Sequence, residues 1–324
     1  MNSKNDSHRI PVLLCFDINY ANYAAVATYS AYKNSKSQLI FHWLATKDAE
    51  KYAQIIKDHL NKLGVEIELH VLDLLDLGSW KTGHHFTSTT YMRLFAPDLM
   101  LSADKAIYID CDTLVLADLG SLYNYQLDDA YFGGVVDEGG ARTSKVPRSI
   151  NDKYINAGVL LMNLKGLRDD EFFERSKMIY AEYEEQITWS DQCIINKYAE
   201  NRKFILDPKW NRQIFSDRIK GEEFGRLANQ EVSSILHFVG AVKPWQQWCN
   251  PAISGFWWAC AQDLKITNLK PTQISSVEQL ISFANVLHLN SRFEEASAIK
   301  TKAIEALIQH MNALRSKQYL GPNS

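Results

Sequence analysis

A chain of 324 residues, 46% hydrophobic and 23% charged, is long enough for one large α/β domain with an appendage. Lys and Arg number 35 against 38 Asp and Glu, a net charge of −3, so nothing in the balance calls for a nucleic-acid partner and none is expected. The five cysteines show no CxxC and no Cys/His spacing, and so give neither a disulfide framework nor a cysteine-based zinc site.

The polar start MNSKNDSHRIP runs straight into the first strand, and no apolar run approaches the roughly 20 residues needed to cross a bilayer. This predicts a cytoplasmic protein. PVLLCF (11–16) reads as a strand, followed by a helix from Tyr23 to Lys33, a strand LIFHWLA (39–45), a helix over 48–62 and a strand VEIELHVL (65–72). Strands separated by helices of this length predict βαβ units and a largely parallel sheet, with ligands outside the carboxyl ends of the strands. DINY (17–20) falls at the first such end. No GxGxxG follows it, which argues against the usual dinucleotide fingerprint.

AIYIDCDTLVL (106–116) closes another apolar strand with two carboxylates, Asp110 and Asp112, flanking Cys111. In a continuing strand, residues two apart share a face, roughly 6 to 7 Å from one another. Two such carboxylates repel and resist dehydration, and a hard divalent cation with oxygen ligands relieves both costs. DINY and DCD, both at strand ends, are expected to face one cleft.

Next come a strand over 131–136 ending in Asp137, the segment YINAGVLLMNL (154–164) and a helical region from about 165 to 186. WSDQCIINKY (189–198) reads as a short helix, LDPKWNRQ (206–213) as a loop, and SSILHFVGAVKPW (233–245) as a strand followed by a turn. From about 274, apolar residues at helical spacing fall into two segments broken near Asn290, which predicts a helical hairpin. Leu280, Phe283, Ala284, Leu287, Phe293, Ala296, Ile299, Ala303, Leu307 and Met311 are its candidates for packing, and Lys300, Lys302, Arg315 and Lys317 give its second helix a basic character.

DINYANYAAV, STTYMRLFAPDLM, YIDCDTLV, YINAGVLLMNL, SDQCIIN and HFVGAVKPW, in that order and spacing, resemble family 8 of the glycosyltransferases, over roughly residues 11 to 262. The likeness is to the bacterial enzymes that extend lipopolysaccharide or lipooligosaccharide outer core. It implies a GT-A fold, a Rossmann-like mixed sheet flanked by helices, here with a C-terminal helical appendage. Residues 1–263 would form the catalytic domain and 264–324 the appendage.

The same resemblance implies a UDP-sugar donor, UDP-galactose or UDP-glucose, with Mn²⁺ or Mg²⁺, and transfer of the hexose with retention to a saccharide acceptor such as a lipid-linked core. Asp110, Asp112 and His237 would hold the metal. Gly240 would permit a close backbone approach, and Lys243 would offer a point charge to phosphate. Cys15, Asp17, Asn19 and Cys111 would line the nucleotide pocket, Arg93 would reach the donor, and His85 would contact the diphosphate. Asp137, Asn156, Asp191 and Gln192 would surround the transferred sugar. Cys193 departs from the commonest family pattern, where a second aspartate stands, and reads as a core thiol.

Taken without the resemblance, Asp17 and Asn19 are ordinary turn formers and Arg93 is a solvated helix charge, while Trp245, Trp248, Trp257 and Trp258 either stack on sugar faces or, as is commoner for Trp at this density beside a last strand, belong to the core. Two other functions compete. IDCDTL also fits the DxDxT pattern of aspartate-dependent phosphatases, but here it follows three earlier strands and lacks that class's later motifs. The hairpin alone supports a non-catalytic carbohydrate-binding or scaffold protein. It also suggests homodimerisation, or peripheral contact with an anionic membrane at its inner face.

Overall fold

The computed structural model describes residues 9–73, 80, 88–266 and 269–319. They divide into two compact units, one of residues up to 212 with 230–237, the other of 213–229 with residues from 238 on.

In the first unit β1 (Ile10–Phe16), α1 (Ala21–Asn34), β2 (Leu39–Thr46), α2 (Glu50–Lys62) and β3 (Ile67–Leu72) form the expected alternation. A 3₁₀ segment (Ser88–Phe95) and α3 (Ala96–Leu99) lead into β4 (Ala106–Ile109) and β5 (Thr113–Val115). α4 (Leu119–Tyr123), β6 (Phe132–Val136), α5 (Glu138–Thr143) and β7 (Ile155–Met162) follow. The helical region after β7 is two helices, α6 (Leu164–Asp169) and α7 (Phe172–Tyr183). Glu171 separates them with φ at 52°, a left-handed conformation that a helix cannot run through. α8 (Ser190–Tyr198) and β8 (Lys203–Ile205) come next. The expected loop at 206–213 contains a 3₁₀ turn (Pro208–Asn211) and β9 (Arg212–Gln213), and the long strand expected at 233–245 is only β10 (Ile235–His237).

The main sheet runs β3-β2-β1-β4-β7-β6-β8. β3, β2, β1 and β4 are parallel, whereas β7 is antiparallel to both β4 and β6, so the sheet is mixed. Every residue of β1 is buried, as a central parallel strand covered on both faces requires. On one face Phe16 meets Trp43 edge to face at 5.2 Å, and the Trp43 indole donates to Thr28 of α1. On the other, Leu13, Leu44, Tyr108 and Leu160 pack with Tyr91, Met92, Ile194 and Ile195. On that second face the 88–95 segment packs against β1, and α8 packs against β7 and that segment.

The second unit contains α9 (Gly221–Leu227), α10 (Pro251–Gln262), α11 (Val277–Leu289) and α12 (Phe293–Tyr319). Ser276 and Gln279 form a reciprocal capping box that fixes the start of α11, and Asn290 ends it as the sequence break predicted. Trp245, Trp248 and Trp257 are buried, with Trp257 5.4 Å from Trp245 and 5.0 Å from Trp258. Among the described residues no helix is long and apolar enough to cross a membrane.

Candidate active site

β4 ends at Ile109, so Asp110, Cys111 and Asp112 form a turn rather than the continued strand that the sequence suggested. The turn is closed by the Thr113 hydroxyl, which donates to the Asp110 carbonyl at 2.7 Å. β5 then returns antiparallel against β10, with Thr113 opposite His237. This pairing, more than strand alternation, gathers the charged groups. His237 Nε2 lies 3.6 Å from Asp110 Oδ2 and 3.3 Å from Asp112 Oδ1. One ligand atom from each of the three falls within 4.8 Å of the others.

Two carboxylates and an imidazole converging on one point make a donor set suited to a divalent cation. The surroundings fit that reading. The other ring nitrogen of His237, Nδ1, stands 2.9 Å from Asn211 Oδ1, and because that oxygen can only accept, Nδ1 donates to it and the ring is held with Nε2 turned towards the carboxylates, where it would ligate a cation. Gly158 makes room for the ring: a Cβ there would sit 2.1 Å from His237 Cε1 and 2.8 Å from Asp110 Oδ2. Neither Gly158 nor Asn211 is marked as a site residue by the sequence, although Gly158 lies within the YINAGVLLMNL motif.

Behind the carboxylates lies Arg93, 4% exposed. Its Nη2 donates to Asp110 Oδ1 at 3.0 Å, Nη1 donates to the Ala157 carbonyl, and the guanidinium stacks 4.1 Å over the Tyr108 ring. Nε donates to the Thr90 carbonyl and approaches Asp191 Oδ2 to 2.9 Å, an ionic contact without hydrogen-bond geometry. Burial alone would lower the arginine's pKa, but Asp110 and Asp191 more than offset it and hold the charge. Arg93 is therefore no solvated helix charge. Burial raises the Asp191 carboxyl to about 7, with Arg93 opposing and Asp110 adding to the rise.

From His237 a row of hydrogen bonds crosses the site. Asn211 Nδ2 donates to Asn156 Oδ1 at 2.8 Å, Asn156 Nδ2 to Gln192 Oε1 at 3.2 Å, and Gln192 Nε2 to Asp137 Oδ2 at 3.1 Å. Asp137 is also the N-cap of α5, accepting from the Gly140 amide at 2.8 Å. α8 delivers Asp191 and Gln192, and it is held on β7 by Asn196, which bonds both the amide and the carbonyl of Ile155 at 2.8 Å. Ser190, just before them, has φ at 45°, a conformation usually disfavoured for a side chain with a Cβ and a mark of a constrained site.

The structure thus brings together Asp110, Asp112, His237, Arg93, Asp191, Asn156, Gln192 and Asp137. Cys15 and Cys111 join the ends of β1 and β4: the buried Cys111 thiol, its pKa pushed up by desolvation, donates to the Cys15 carbonyl at 3.3 Å. Asp17 accepts from the amides of Asn19 and Tyr20 with one carboxylate oxygen, so it makes the local turn, and Asn19 is exposed. Gly240 and Lys243 belong to the second unit. Gly240 has φ at 82°, the left-handed region that favours glycine, and Lys243 Nζ donates to the Phe238 carbonyl at 2.7 Å. His85 lies outside the described residues. Cys193 is buried and contacts Tyr154, Ser144 and the Trp189 amide, as expected of a core thiol.

A mixed, parallel-rich sheet with an acidic turn at a carboxyl edge defines the GT-A class of glycosyltransferases. The sequence profile of glycosyl transferase family 8 matches residues 11–249, and the chain belongs to that family. It is 24% identical over 253 residues to a lipopolysaccharide 1,2-glucosyltransferase of Escherichia coli, covering 74% of each chain. It is 28% identical over 196 residues to general stress protein A of Bacillus subtilis strain 168, covering 57% of this chain and 68% of that one. Among solved structures it is similar to the galactosyltransferase LgtC in complex with donor and acceptor sugar analogues, with a TM-score of 0.68 and 24% identity over 80% of this chain and 97% of the other.

Proposed function

We propose that the chain is a metal-dependent, retaining hexosyltransferase that moves galactose or glucose from a UDP-sugar to a saccharide acceptor, lipopolysaccharide core or a related surface glycan. The observation that carries this reading is the convergence of Asp110, Asp112 and His237, backed by the buried Arg93–Asp191 pair. Asp110, Asp112 and His237 would hold Mn²⁺ or Mg²⁺, which when bound would supply positive charge to the diphosphate. Cys15, Asp17, Asn19 and Cys111 line the nucleotide, and Gly240 and Lys243 serve the diphosphate. Asp137, Asn156, Asp191 and Gln192 orient the hexose.

In the transfer the bond from the anomeric carbon to the diphosphate oxygen breaks with its electron pair leaving on that oxygen. The acceptor hydroxyl bonds to the same face of the anomeric carbon, and its proton passes to the departing diphosphate. This front-face route is favoured over a covalent intermediate because Asp191, a candidate nucleophile, is buried and held by Arg93. The amides of Asn156 and Gln192 are suited to stabilising an oxocarbenium-like state but are poor nucleophiles.

Residues 1–263 carry the donor chemistry, and 264–324 act as an accessory element for dimerisation or for peripheral contact with the inner face of the membrane, where a lipid-linked acceptor resides. The test is a hydrolysis screen of UDP-sugars with and without chelator, on the native chain and on Asp112→Asn. Turnover of one hexose donor that is lost in excess chelator and in the variant is expected. Stabilisation by UDP and Mn²⁺ without turnover of any donor, or full activity of Asp112→Asn, overturns the reading.

A further inference from the structure

Strands β2 and β3 pair in parallel with His42 opposite Glu68, and His70 stands two residues further along β3. Side chains two apart on a strand share a face, so Glu68 and His70 project to the same side as their neighbour His42. The three groups converge. His42 Nδ1 lies 3.2 Å from His70 Nε2 and 3.4 Å from Glu68 Oε2, and His70 Nε2 is 3.9 Å from that same oxygen. Zinc bonds to imidazole nitrogen and carboxylate oxygen of about 2.0 to 2.1 Å place tetrahedral ligands roughly 3.3 Å apart. The observed triangle, 3.2, 3.4 and 3.9 Å on its sides, is close to that size.

We propose that His42, Glu68 and His70 form a second divalent-metal site, of the Zn²⁺ class, with three protein ligands and a fourth position open to water. Two imidazoles and one carboxylate suit zinc, whereas Mg²⁺ and Ca²⁺ take oxygen ligands almost throughout. The site shares no residue with the Asp110, Asp112 and His237 group.

The rings meet edge to edge, 5.5 Å between centroids and 20° between planes, with Nδ1 of His42 facing Nε2 of His70 on two strands of fixed register, so each ring has only to turn on its side-chain bonds to face an ion beside that line. A ligating imidazole must be neutral, and burial, the largest influence on both histidines, lowers the pKa of each. Glu68 opposes that lowering at both rings and Lys57 adds to it at His70. Without an ion, one of the two nitrogens at 3.2 Å must carry a proton to bridge them. Metal binding moves that proton to the other nitrogen of the same ring, so that both imidazoles ligate in the neutral form, and replaces one bridge by three bonds. β3 is the end strand of the seven-stranded sheet, so the ion would clamp an edge to its neighbour.

The experiment uses the full-length Asp112→Asn chain, stripped with chelator, so that the other cluster has lost a ligand. Titration with Co²⁺ followed by visible absorption should give the bands of a four-coordinate ion at one equivalent, and Zn²⁺ should displace it and raise the thermal midpoint. Adding His70→Gln or Glu68→Gln, each at a position outside the buried core, should abolish the bands and the rise in midpoint. No bound equivalent in Asp112→Asn, or binding undiminished by both added substitutions, overturns the proposal. None of these readouts depends on sugar transfer, so failure of the functional reading would leave this site standing and the reverse holds too.

Discussion

His237 keeps Nε2 turned towards the two aspartates while its Nδ1–H is given to Asn211. Asn211→Leu keeps the branched shape but removes the acceptor, freeing the ring to change tautomer or rotate. Loss of such an orienting partner costs about 10- to 100-fold in metal affinity. Calorimetry with Mn²⁺ should record a fall of that order, with the thermal midpoint as a control for folding; an unchanged affinity would show that Asn211 does not position the ring. Asp191 gives a pH dependence. Its carboxyl titrates near 7 in the folded chain against 3.8 ordinarily, so the native state binds that proton more tightly than the unfolded state does. The stability this provides is fully present below about pH 4 and is lost as pH rises towards 7. Midpoints of the metal-free chain measured from pH 4 to 7 should therefore decline relative to those of Asp191→Asn, whereas parallel curves would contradict the shift.

At the scale of elements, α12 has 27 residues against 13 in α11, or about 40 Å against 20 Å at 1.5 Å per residue. Only part of α12 can lie along its hairpin partner. Ala284, Leu287, Ala296 and Ala303 are buried as the helical spacing predicted, but Phe293, Leu307 and Met311 are not. Ile304, Leu307, Ile308, Met311 and Leu314 are each 44 to 57% exposed, with Lys300 and Lys302 also on the surface. A row of apolar side chains of this length is costly in water. Sedimentation of the native chain should reveal a dimer that Ile304→Glu with Ile308→Glu converts to monomer, while donor hydrolysis is unchanged. A native monomer that instead sediments with anionic vesicles would assign the row to a membrane surface.

Across the whole molecule, the sequence disclosed the βαβ order, the mixed sheet's central strands and the tail hairpin, because each rests on local periodicity longer than one turn or one pleat. It disclosed Asp110, Asp112 and His237 through ordered motifs, and the shortness of β10 and the turn at 110–112 escaped it because both depend on a pairing between residues more than a hundred positions apart. Asn211 escaped for a related reason. An asparagine in a loop reads as turn chemistry, and only its contacts with His237 and Asn156 give it a role. The His42, Glu68 and His70 group likewise has no motif, since its spacing is set by the register of two strands. The row of donations from His237 through Asn211, Asn156 and Gln192 to Asp137 has a single sense, and an amide reverses that sense only by turning end over end. None can turn without stranding a neighbour on each side, so the three amides form one epistatic unit: a second substitution within it should add little to the first, and a descendant that replaces one will be found to have replaced the set.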